Sequence, residues 1–303
     1  MGRKTNMALT VGMASVTAWA ATKVVAKPVP REIKKALDFD NPVILAHRGG
    51  LLEAPENTLA AFTKSAELGV HGFTIDVRLT KDEEILVFHD EYLERTTDFT
   101  GKVSDFNLAE LKEADAGHQF TNEKGEFIYR GKGEKLITLQ ELLERFPHMF
   151  VSININESPE TYEGRLIPSK LWRLIELLGV EDRVAITSPY GEQTDRFNLY
   201  AQDRIATGAS YDEVKIAFAA FASQFGHLYS PRADFFRIPV KIGVFPLGGE
   251  GFMSFLSKLN VHVYYVNVDN HEDMISLINA GAAGFITNSP SLAIQTIQEY
   301  SKE

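Results

Sequence analysis

The chain has 303 residues, of which 44% are hydrophobic and 24% are charged. This composition is typical of a globular protein and argues against wholesale disorder, and the length allows one large α/β domain or two small ones. The formal net charge of -10 disfavours nucleic acid as the main partner, because phosphate backbones bind to basic surfaces. A small anionic substrate can still bind in a locally positive pocket. The absence of cysteine excludes disulfides, thiolate metal sites and cysteine nucleophiles.

The N-terminal segment has the features of an export signal. Arg3 and Lys4 precede an apolar stretch rich in small residues, 7–21, and residues 18–20 fit an A-x-A processing site. A basic linker that contains prolines follows. We therefore predict that residues 1–37 are an export signal or membrane anchor plus a linker, and that the chain is secreted or anchored to a membrane. A buried helix is the third interpretation.

From residue 42 onward, strand-like apolar runs alternate with helix-like segments. The predicted strands are 43–47, 73–78, 85–88, 149–154, 184–187, 204–207, 240–245, 262–268 and 284–287. The predicted helices are 59–68, 139–146, 170–178, 212–225, 252–259, 274–280 and 292–300. Asn57 is the predicted N-cap of the first helix, and Gly69 is its C-terminal glycine.

Repeated β-then-α units over roughly 250 residues predict an α/β fold, a (β/α)8 TIM barrel over residues 38–303. A small insertion follows the third strand-like run, at about residues 96–136, and contains one short helix at 108–113. A doubly wound open sheet is the alternative. The chain has no G-x-G-x-x-G loop and no phosphate-binding loop, which weakens nucleotide-binding versions of that alternative.

Two of the predicted strands end at a histidine, His47 and His89. The C-terminal ends of parallel strands are where such folds place ligands and chemistry. One histidine there is more often structural, but two of them, followed by Arg48 and Asp90, favour a functional site. Two histidines can supply one acid and one base near neutral pH. The planar guanidinium of Arg48 can hold a phosphate.

Several separate motifs resemble those of the glycerophosphodiester phosphodiesterases, in the order and spacing of that family. They are His47-Arg48-Gly49, Pro55-Glu56-Asn57-Thr58, Asp76-Val77-Arg78-Leu79-Thr80-Lys81-Asp82, His89-Asp90 and Gly284-Phe285-Ile286-Thr287. The resemblance covers nearly all of the chain after residue 42. It implies a TIM barrel that hydrolyses glycerophosphodiesters to glycerol 3-phosphate and an alcohol. It also implies a divalent metal, Mg2+ or Ca2+, and attack on phosphorus by the glycerol hydroxyl of the substrate.

The resemblance also assigns roles to individual residues. His47 and His89 match the histidine pair that acts as general acid and base, and Arg48 matches the arginine that binds phosphate. Glu56 matches a carboxylate of the substrate pocket, and Asp76 matches one metal ligand.

The chain departs from the family pattern at the remaining metal and substrate positions. The usual Glu-x-Asp strand has Thr74 in place of the glutamate, and Thr74 shares the inward face with Asp76. Asn154 and Asn156 stand where a glutamate and then a lysine are usual, and Tyr265 lies on a strand that usually carries tryptophan. The implied metal positions are thus Asp76, Thr74 and Asn154, and the implied substrate-binding residues are Arg48, Glu56, Asn156 and Tyr265. Because a hard divalent cation prefers several oxygen ligands, more than one of them a carboxylate, the departures predict weak metal binding.

Three functional hypotheses follow. The first is an exported phosphodiesterase that acts on glycerophosphodiesters, which are small phosphodiester substrates. The second is a catalytically weak or inactive barrel that binds a phosphodiester or a lipid head group. The third is a sugar hydrolase, which needs two facing carboxylates that the inward positions do not supply. The N-terminal segment also allows association with a membrane.

Overall fold

The structure is a computed structural model that describes residues 23, 26–39, 42–242, 245–247 and 249–300. The apolar segment on which the export prediction depends lies outside these residues. Within the described ranges, no helix has both the length and the apolar content that a membrane crossing requires.

Eight parallel strands and three short additional strands form the β structure of the described residues. In chain order the strands are β1 (Val43–His47), β2 (Gly72–Leu79), β3 (Ile85–Val87), β4 (Phe150–Ile155), β5 (Val184–Thr187), β6 (Ala206–Thr207), β7 (Phe235–Ile238), β8 (Lys241–Ile242), β9 (Phe245–Pro246), β10 (His262–Val266) and β11 (Gly284–Thr287).

The parallel strands follow each other in the order β6-β5-β4-β2-β1-β11-β10-β7. A single parallel bridge between Gly208 and Phe235 joins the two ends of this order. The result is a nearly closed barrel of eight parallel strands, which confirms the predicted TIM barrel and excludes an open sheet.

Helices cover the outside of the barrel and connect the strands. In the described part of the chain the α-helices are α1 (Leu59–Leu68), α2 (Leu108–Leu111), α3 (Leu139–Arg145), α4 (Tyr162–Leu178), α5 (Gly191–Ala201), α6 (Tyr211–Ala222), α7 (Glu250–Ser257), α8 (His271–Asn279) and α9 (Pro290–Tyr300).

Alternation along the strands separates two apolar layers. Inward side chains such as Leu45, Phe150 and Tyr264 fill the lower part of the barrel. Outward side chains such as Phe73 and Ile153 pack against the helices. The parity of each strand therefore decides which side chains reach the mouth of the barrel, at the C-terminal ends of the strands.

Part of the predicted linker contacts the barrel. Ala36 and Leu37, in a 3₁₀ turn over Lys35–Leu37, are buried in the lower apolar cluster. Arg31 donates hydrogen bonds to the carboxylates of Asp203 and Asp234. Residues 31–37 therefore cover the N-terminal end of the barrel.

Two of the predicted strands have a different place in the structure. The third predicted strand is β3, which pairs antiparallel with β2 and is not a barrel strand. The predicted strand at 240–245 is wrong, because the two-residue strands β8 and β9 lie there and pair antiparallel with each other. The barrel strand is β7, which ends before Pro239. The prediction passed over β7 because Arg237 interrupts its apolar run, although an inward position at the barrel mouth accepts a charged residue.

Apart from shifts of one to three residues at helix ends, the helices differ from the predictions at three places. Thr58, not Asn57, is the N-cap of α1, since its Oγ1 accepts from the backbone of Ala61 at 3.3 Å. Gly69 ends this helix in the left-handed conformation, as predicted. Helix α4 begins eight residues before the predicted 170 and contains Pro168. Helix α5 was not predicted, because its sequence is mostly polar.

The residues between β3 and α3 form a separate small layer. Leu86, Leu93, Val103 and Leu111 are among the members of its apolar cluster. Helix α2 is one short turn here, as predicted. The layer places the loop that contains His89 and Asp90 beside the barrel mouth.

Candidate functional site

A cavity of about 350 Å³ opens at the C-terminal ends of the barrel strands. Its polar wall includes His47, Arg48, Asp76, His89, Asn154, Asn156, Thr187, Ser188, Tyr211, Asn267 and Arg237. Its apolar wall includes Pro189, Val214, Ile238, Val266 and Ile286. The structure thus brings His47, His89, Arg48, Asp76, Asn154 and Asn156 together, as the sequence predicts.

A tight turn after β1 directs Arg48 into the site. Arg48 has a left-handed backbone with φ 52°, and its amide donates to the carbonyl of Thr74 at 2.7 Å. Gly49 follows with φ +83°, and a Cβ there would lie 2.7 Å from Cβ of Ala61. Only glycine fits this position, because both the conformation and the contact exclude a side chain. The turn therefore holds the arginine at a fixed place beside the histidine.

The imidazole of His47 has a defined tautomer. Its Nδ1 lies 2.7 Å from Oδ1 of Asn288. The amide of Asn288 is oriented by Asp269, which accepts from Asn288 Nδ2 at 2.6 Å. Nδ1 of His47 therefore donates, and its Nε2 carries a free lone pair. Burial, together with the Arg48 charge, lowers the pKa of His47 to about 4, so the ring is a neutral base near pH 7.

His89 is paired with a carboxylate. Its Nδ1 lies 2.5 Å from Oδ1 of Asp90. The other carboxylate oxygen of Asp90 accepts from Arg95, which also donates to both oxygens of Glu56 at 2.9 and 2.7 Å. Glu56 in turn accepts from Arg48 at 3.1 Å. A continuous chain of ion pairs therefore joins the two predicted histidine motifs.

Asp76 has hydrogen-bond donors on both carboxylate oxygens. Oδ2 accepts from Nε of Arg48 at 3.1 Å. Oδ1 accepts from Nδ2 of Asn154 at 2.8 Å and from Nδ2 of Asn156 at 2.9 Å. Although burial acts in the opposite direction, the Arg48 charge and the amide donors hold the pKa of Asp76 below its ordinary value. Asp76 is therefore an ionised carboxylate with hydrogen-bond donors on both of its oxygens.

Arg237 is a cation of the site that the sequence analysis missed. It lies inward on β7, and its Nη1 donates to Oγ1 of Thr187 at 2.8 Å. Thr187 donates to Oδ1 of Asn154 at 2.9 Å, which fixes the Asn154 amide with its Nδ2 toward Asp76. The only sequence signal for Arg237 is the charge itself, which interrupts an apolar run before a proline. Asp269, which orients Asn288, was missed as well.

The donor set does not fit a divalent cation. Asp76 is the only carboxylate among the described residues that line the cavity, and amide and guanidinium donors occupy it. Oγ1 of Thr74 is buried without a hydrogen-bond partner beneath it, but a neutral hydroxyl and one carboxylate fall short of the several oxygens that Mg2+ or Ca2+ prefers. No cluster of three or more His, Cys, Asp or Glu that could hold a metal occurs in the described residues.

Three predicted site residues do not line the cavity. Tyr265 has the outward parity of β10 and is buried against the helices, where its hydroxyl donates to the carbonyl of Leu247 at 2.7 Å. Thr74 is buried below the floor. Glu56 lies behind Arg48, where both of its oxygens pair with guanidinium groups. The placement of Tyr265 contradicts its predicted contact with substrate, because alternation along the strand directs its side chain away from the cavity.

The chain is similar to proteins of one family. The model of the glycerophosphoryl diester phosphodiesterase family matches residues 47–292. A glycerophosphodiester phosphodiesterase of Caldanaerobacter subterraneus subsp. tengcongensis is 33% identical over 259 residues, which are 85% of this chain and 98% of the relative.

Solved structures of the same name share the fold. The glycerophosphoryl diester phosphodiesterase domain of a Mycobacterium tuberculosis protein has a TM-score of 0.74 at 21% identity, over 84% of this chain and 99% of that one. An Oleispira antarctica phosphodiesterase in complex with its product sn-glycerol-3-phosphate has a TM-score of 0.66 at 24% identity, over 85% and 97%.

Proposed function

We propose that the chain, which belongs to the glycerophosphoryl diester phosphodiesterase family, hydrolyses glycerophosphodiesters to glycerol 3-phosphate and an alcohol. The observation that carries the proposal is that His47, His89 and Arg48 line one cavity at the barrel mouth. A base, an acid and a cation that binds phosphate are the groups that displacement at phosphorus requires.

The two histidines have environments that suit different roles. The free Nε2 lone pair of His47 accepts the proton of the glycerol hydroxyl as its oxygen attacks phosphorus. The bond from phosphorus to the alcohol oxygen breaks, and His89 gives that oxygen a proton. The Asp90 carboxylate, 2.5 Å from His89, offsets the charge of the protonated ring. Water then opens the cyclic phosphate, with the histidines in exchanged roles, and gives glycerol 3-phosphate.

A small phosphodiester is the substrate that the cavity favours. A volume of about 350 Å³ accommodates a small molecule, and a lining with both polar and apolar side chains suits a charged phosphate with a variable alcohol. The solved relative from Oleispira antarctica holds sn-glycerol-3-phosphate as its product, which supports the same glycerol phosphate moiety here.

A second candidate function is binding of a phosphodiester or lipid head group without turnover. The family generally uses a divalent metal, and Mg2+ or Ca2+ would supply charge stabilisation at the phosphate. The observation that favours the second candidate is that both oxygens of Asp76 accept from Arg48, Asn154 and Asn156.

Release of glycerol 3-phosphate separates the two candidates. Purified chain is incubated with glycerophosphocholine and glycerophosphoethanolamine, in chelator, in Mg2+ and in Ca2+. We expect release that His47→Ala and His89→Ala both abolish, whereas His148→Ala, at an exposed histidine, is unchanged. Binding of the diester by calorimetry without release under any condition establishes the second candidate and refutes hydrolysis.

Export is a separate proposal, which rests on Arg3, Lys4 and the apolar residues 7–21. Expression in a secreting host should give either a mature chain that begins near residue 21 or a full-length chain in the membrane fraction. Full-length chain wholly in the soluble cytoplasmic fraction contradicts both outcomes.

A further inference from the structure

Arg237 is a cation without a carboxylate partner at hydrogen-bond distance. Among the described residues its hydrogen bond is the one to Thr187, and its Nε is buried without any partner. The guanidinium is half-buried and lines the same cavity as the two histidines. A buried donor that nothing satisfies is costly, and its cost is recovered when a ligand with acceptor oxygens binds.

The charges around Arg237 leave the cavity positive. Asp76 is the only carboxylate among the described lining residues, and it faces two guanidinium groups, those of Arg48 and Arg237. Glu56 pairs with Arg48 from behind but shares its charge with Arg95. With the histidines not counted, the residues that line the cavity therefore carry one more positive charge than negative, and the Glu56 and Asp90 carboxylates behind them are paired with guanidinium groups. A locally positive wall within a net acidic chain favours binding of a small anion.

We propose that Arg237, together with Arg48, binds the phosphate group of the ligand in the place of a divalent cation, so that phosphate binding by this chain does not depend on metal. The inference rests on the proposed function, because it names the group that holds the phosphate of the same substrate. Two planar guanidinium groups offer paired donors that match phosphate oxygens.

The asparagine at position 154, where the family pattern has a glutamate, belongs to the same hydrogen-bond network as Arg237. Thr187 accepts from Arg237 and donates to Asn154, and Asn154 donates to Asp76. An asparagine completes this sequence of donors and acceptors. A glutamate at 154 would place a second carboxylate beside Arg237 and cancel its charge. The asparagines and the arginine therefore form one consistent arrangement.

Binding of glycerol 3-phosphate by calorimetry tests the proposal directly. The titration is run in chelator, in Mg2+ and in Ca2+, with the wild-type chain. We expect the same Kd in all three, and tighter binding of the glycerol 3-phosphate dianion than of glycerophosphocholine, whose phosphodiester group carries a single negative charge. Binding that is lost in chelator and restored by either metal overturns the proposal, without the need of any variant.

Two substitutions at Arg237 add a second test. We expect Arg237→Gln to weaken binding of glycerol 3-phosphate in chelator by roughly 10- to 100-fold, and Arg237→Lys to weaken it less, because the charge remains. Arg232→Gln, which removes the same charge at an exposed position, should bind as the wild type does. Arg237→Gln with unchanged affinity refutes the proposal, and thermal unfolding without ligand shows whether each variant is folded.

The outcomes for binding and for turnover are separable. A chain that binds glycerol 3-phosphate in chelator but releases none from diesters keeps this inference and refutes hydrolysis. A chain that hydrolyses diesters but binds glycerol 3-phosphate only with metal keeps the proposed function and refutes the inference.

Discussion

The hydrogen bond between His47 and Asn288 determines which imidazole nitrogen faces the cavity. An aspartate at position 288 would also accept from Nδ1, but it would carry a charge that favours the protonated ring. The amide leaves the ring neutral, and burial reinforces this state. The negative charge that orients His47 and Asn288 is on Asp269, which accepts a hydrogen bond from Asn288 rather than from the ring itself.

The low pKa of His47 predicts the acidic limb of the pH profile. Because the pKa is about 4, the ring that we propose as the base stays deprotonated, and kcat/KM should be level from pH 7 to about pH 5 and then fall through the pKa as pH falls. An NMR titration of the His47 ring, assigned with His47→Asn, should give the same midpoint. A midpoint near 6.5 in both measurements would show that the ring is solvated and refute the assignment of the base.

The same shift has a consequence for stability. The folded pKa lies below the ordinary value of 6.5, so between these values the unfolded chain binds a proton that the folded chain does not. The contribution of the neutral His47 ring to the free energy of unfolding is therefore fully present above pH 6.5 and is lost as pH falls toward 4. His47→Asn should remove this part of the pH dependence in urea unfolding.

Asp269 is predicted to be a positioning residue. It accepts from Thr287 Oγ1 and from the backbone and side-chain nitrogens of Asn288. Asp269→Asn introduces an amide donor that allows Asn288 to turn, which moves the proton of His47 from Nδ1 to Nε2. We expect kcat to fall roughly 10- to 100-fold with little change in KM.

Nitrogen NMR of the His47 ring provides the check on this prediction, since a merely structural change would not exchange the tautomer. Asp273→Asn is the matched control, because it makes the same substitution at an exposed aspartate in the first turn of α8, the helix that follows Asp269. An unchanged tautomer in Asp269→Asn would contradict the role given to Asp269.

The residues of the site were predictable where a strand ends in a polar residue. His47 and His89 are found in this way, whereas Asp76 was identified by its match to the family motif. Arg237 could not be found, because its strand was assigned to the apolar run after Pro239. Tyr265 was placed by family position alone, whereas its side chain follows the parity of β10, which directs it toward Leu247.

At the scale of elements, the adjacent strands β2 and β4 carry the two positions, 74 and 154, at which the family pattern has glutamates. Asp76 pairs in register with Asn154, and Thr74 pairs with Ser152. Side chains at registered positions lie next to each other on one face of the sheet. Replacement of both carboxylates by neutral side chains leaves one acid, and amide donors from β4 then satisfy it.

Restored carboxylates should create a metal site. We expect Thr74→Glu with Asn154→Glu to raise affinity for Mg2+ and Ca2+ more than the sum of the single changes, because both groups act on one cation. Further addition of Arg237→Gln should raise affinity again, since the guanidinium otherwise pairs with the new acids. Asn156→Lys is then expected to raise turnover further, because a lysine stabilises developing charge at the phosphate.

Titration calorimetry with both metals measures these affinities. The double variant Thr100→Glu with Asn279→Glu adds the same charge at exposed positions and should bind neither metal. Tight metal binding by the unmodified chain would contradict the prediction and show that Asp76 exchanges its donors for a cation.

Most strands were predictable because their apolar runs are clear. The bounds of β1, β5 and β11 agree with the prediction. Helix α5 was not predictable in this way. It buries little more than Gln193, Phe197 and Ala201, and such a narrow apolar stripe gives only a weak periodic pattern in the sequence. The antiparallel direction of β3 also could not be predicted from its local sequence pattern, because the direction of strand pairing depends on where the chain turns.

At the scale of the whole molecule, the seam between β6 and β7 is where the barrel closes. Beside the bridge from Gly208 to Phe235, the backbone of Asp234 donates to the carbonyl of Thr207 at 2.8 Å. The buried Asp234 carboxylate accepts from the backbone of Thr207 at 2.8 Å and from Nε of Arg31 at 2.8 Å. A residue that precedes the barrel therefore supplies the cation that neutralises a carboxylate in its seam.

Arg31 is consequently expected to stabilise the barrel, although sequence alone places it in a linker. Arg31→Gln leaves the Asp234 carboxylate, which is 1% exposed, without its charged partner, and unfolding free energy should fall by about 2 kcal/mol. Lys27→Gln removes the same charge from an exposed residue of the same segment and should change it by less than about 0.5 kcal/mol. Urea unfolding at pH 7 measures both. Equal effects of the two substitutions would mean that the seam closes without Arg31. The barrel would then begin at about residue 38, as the sequence analysis predicts.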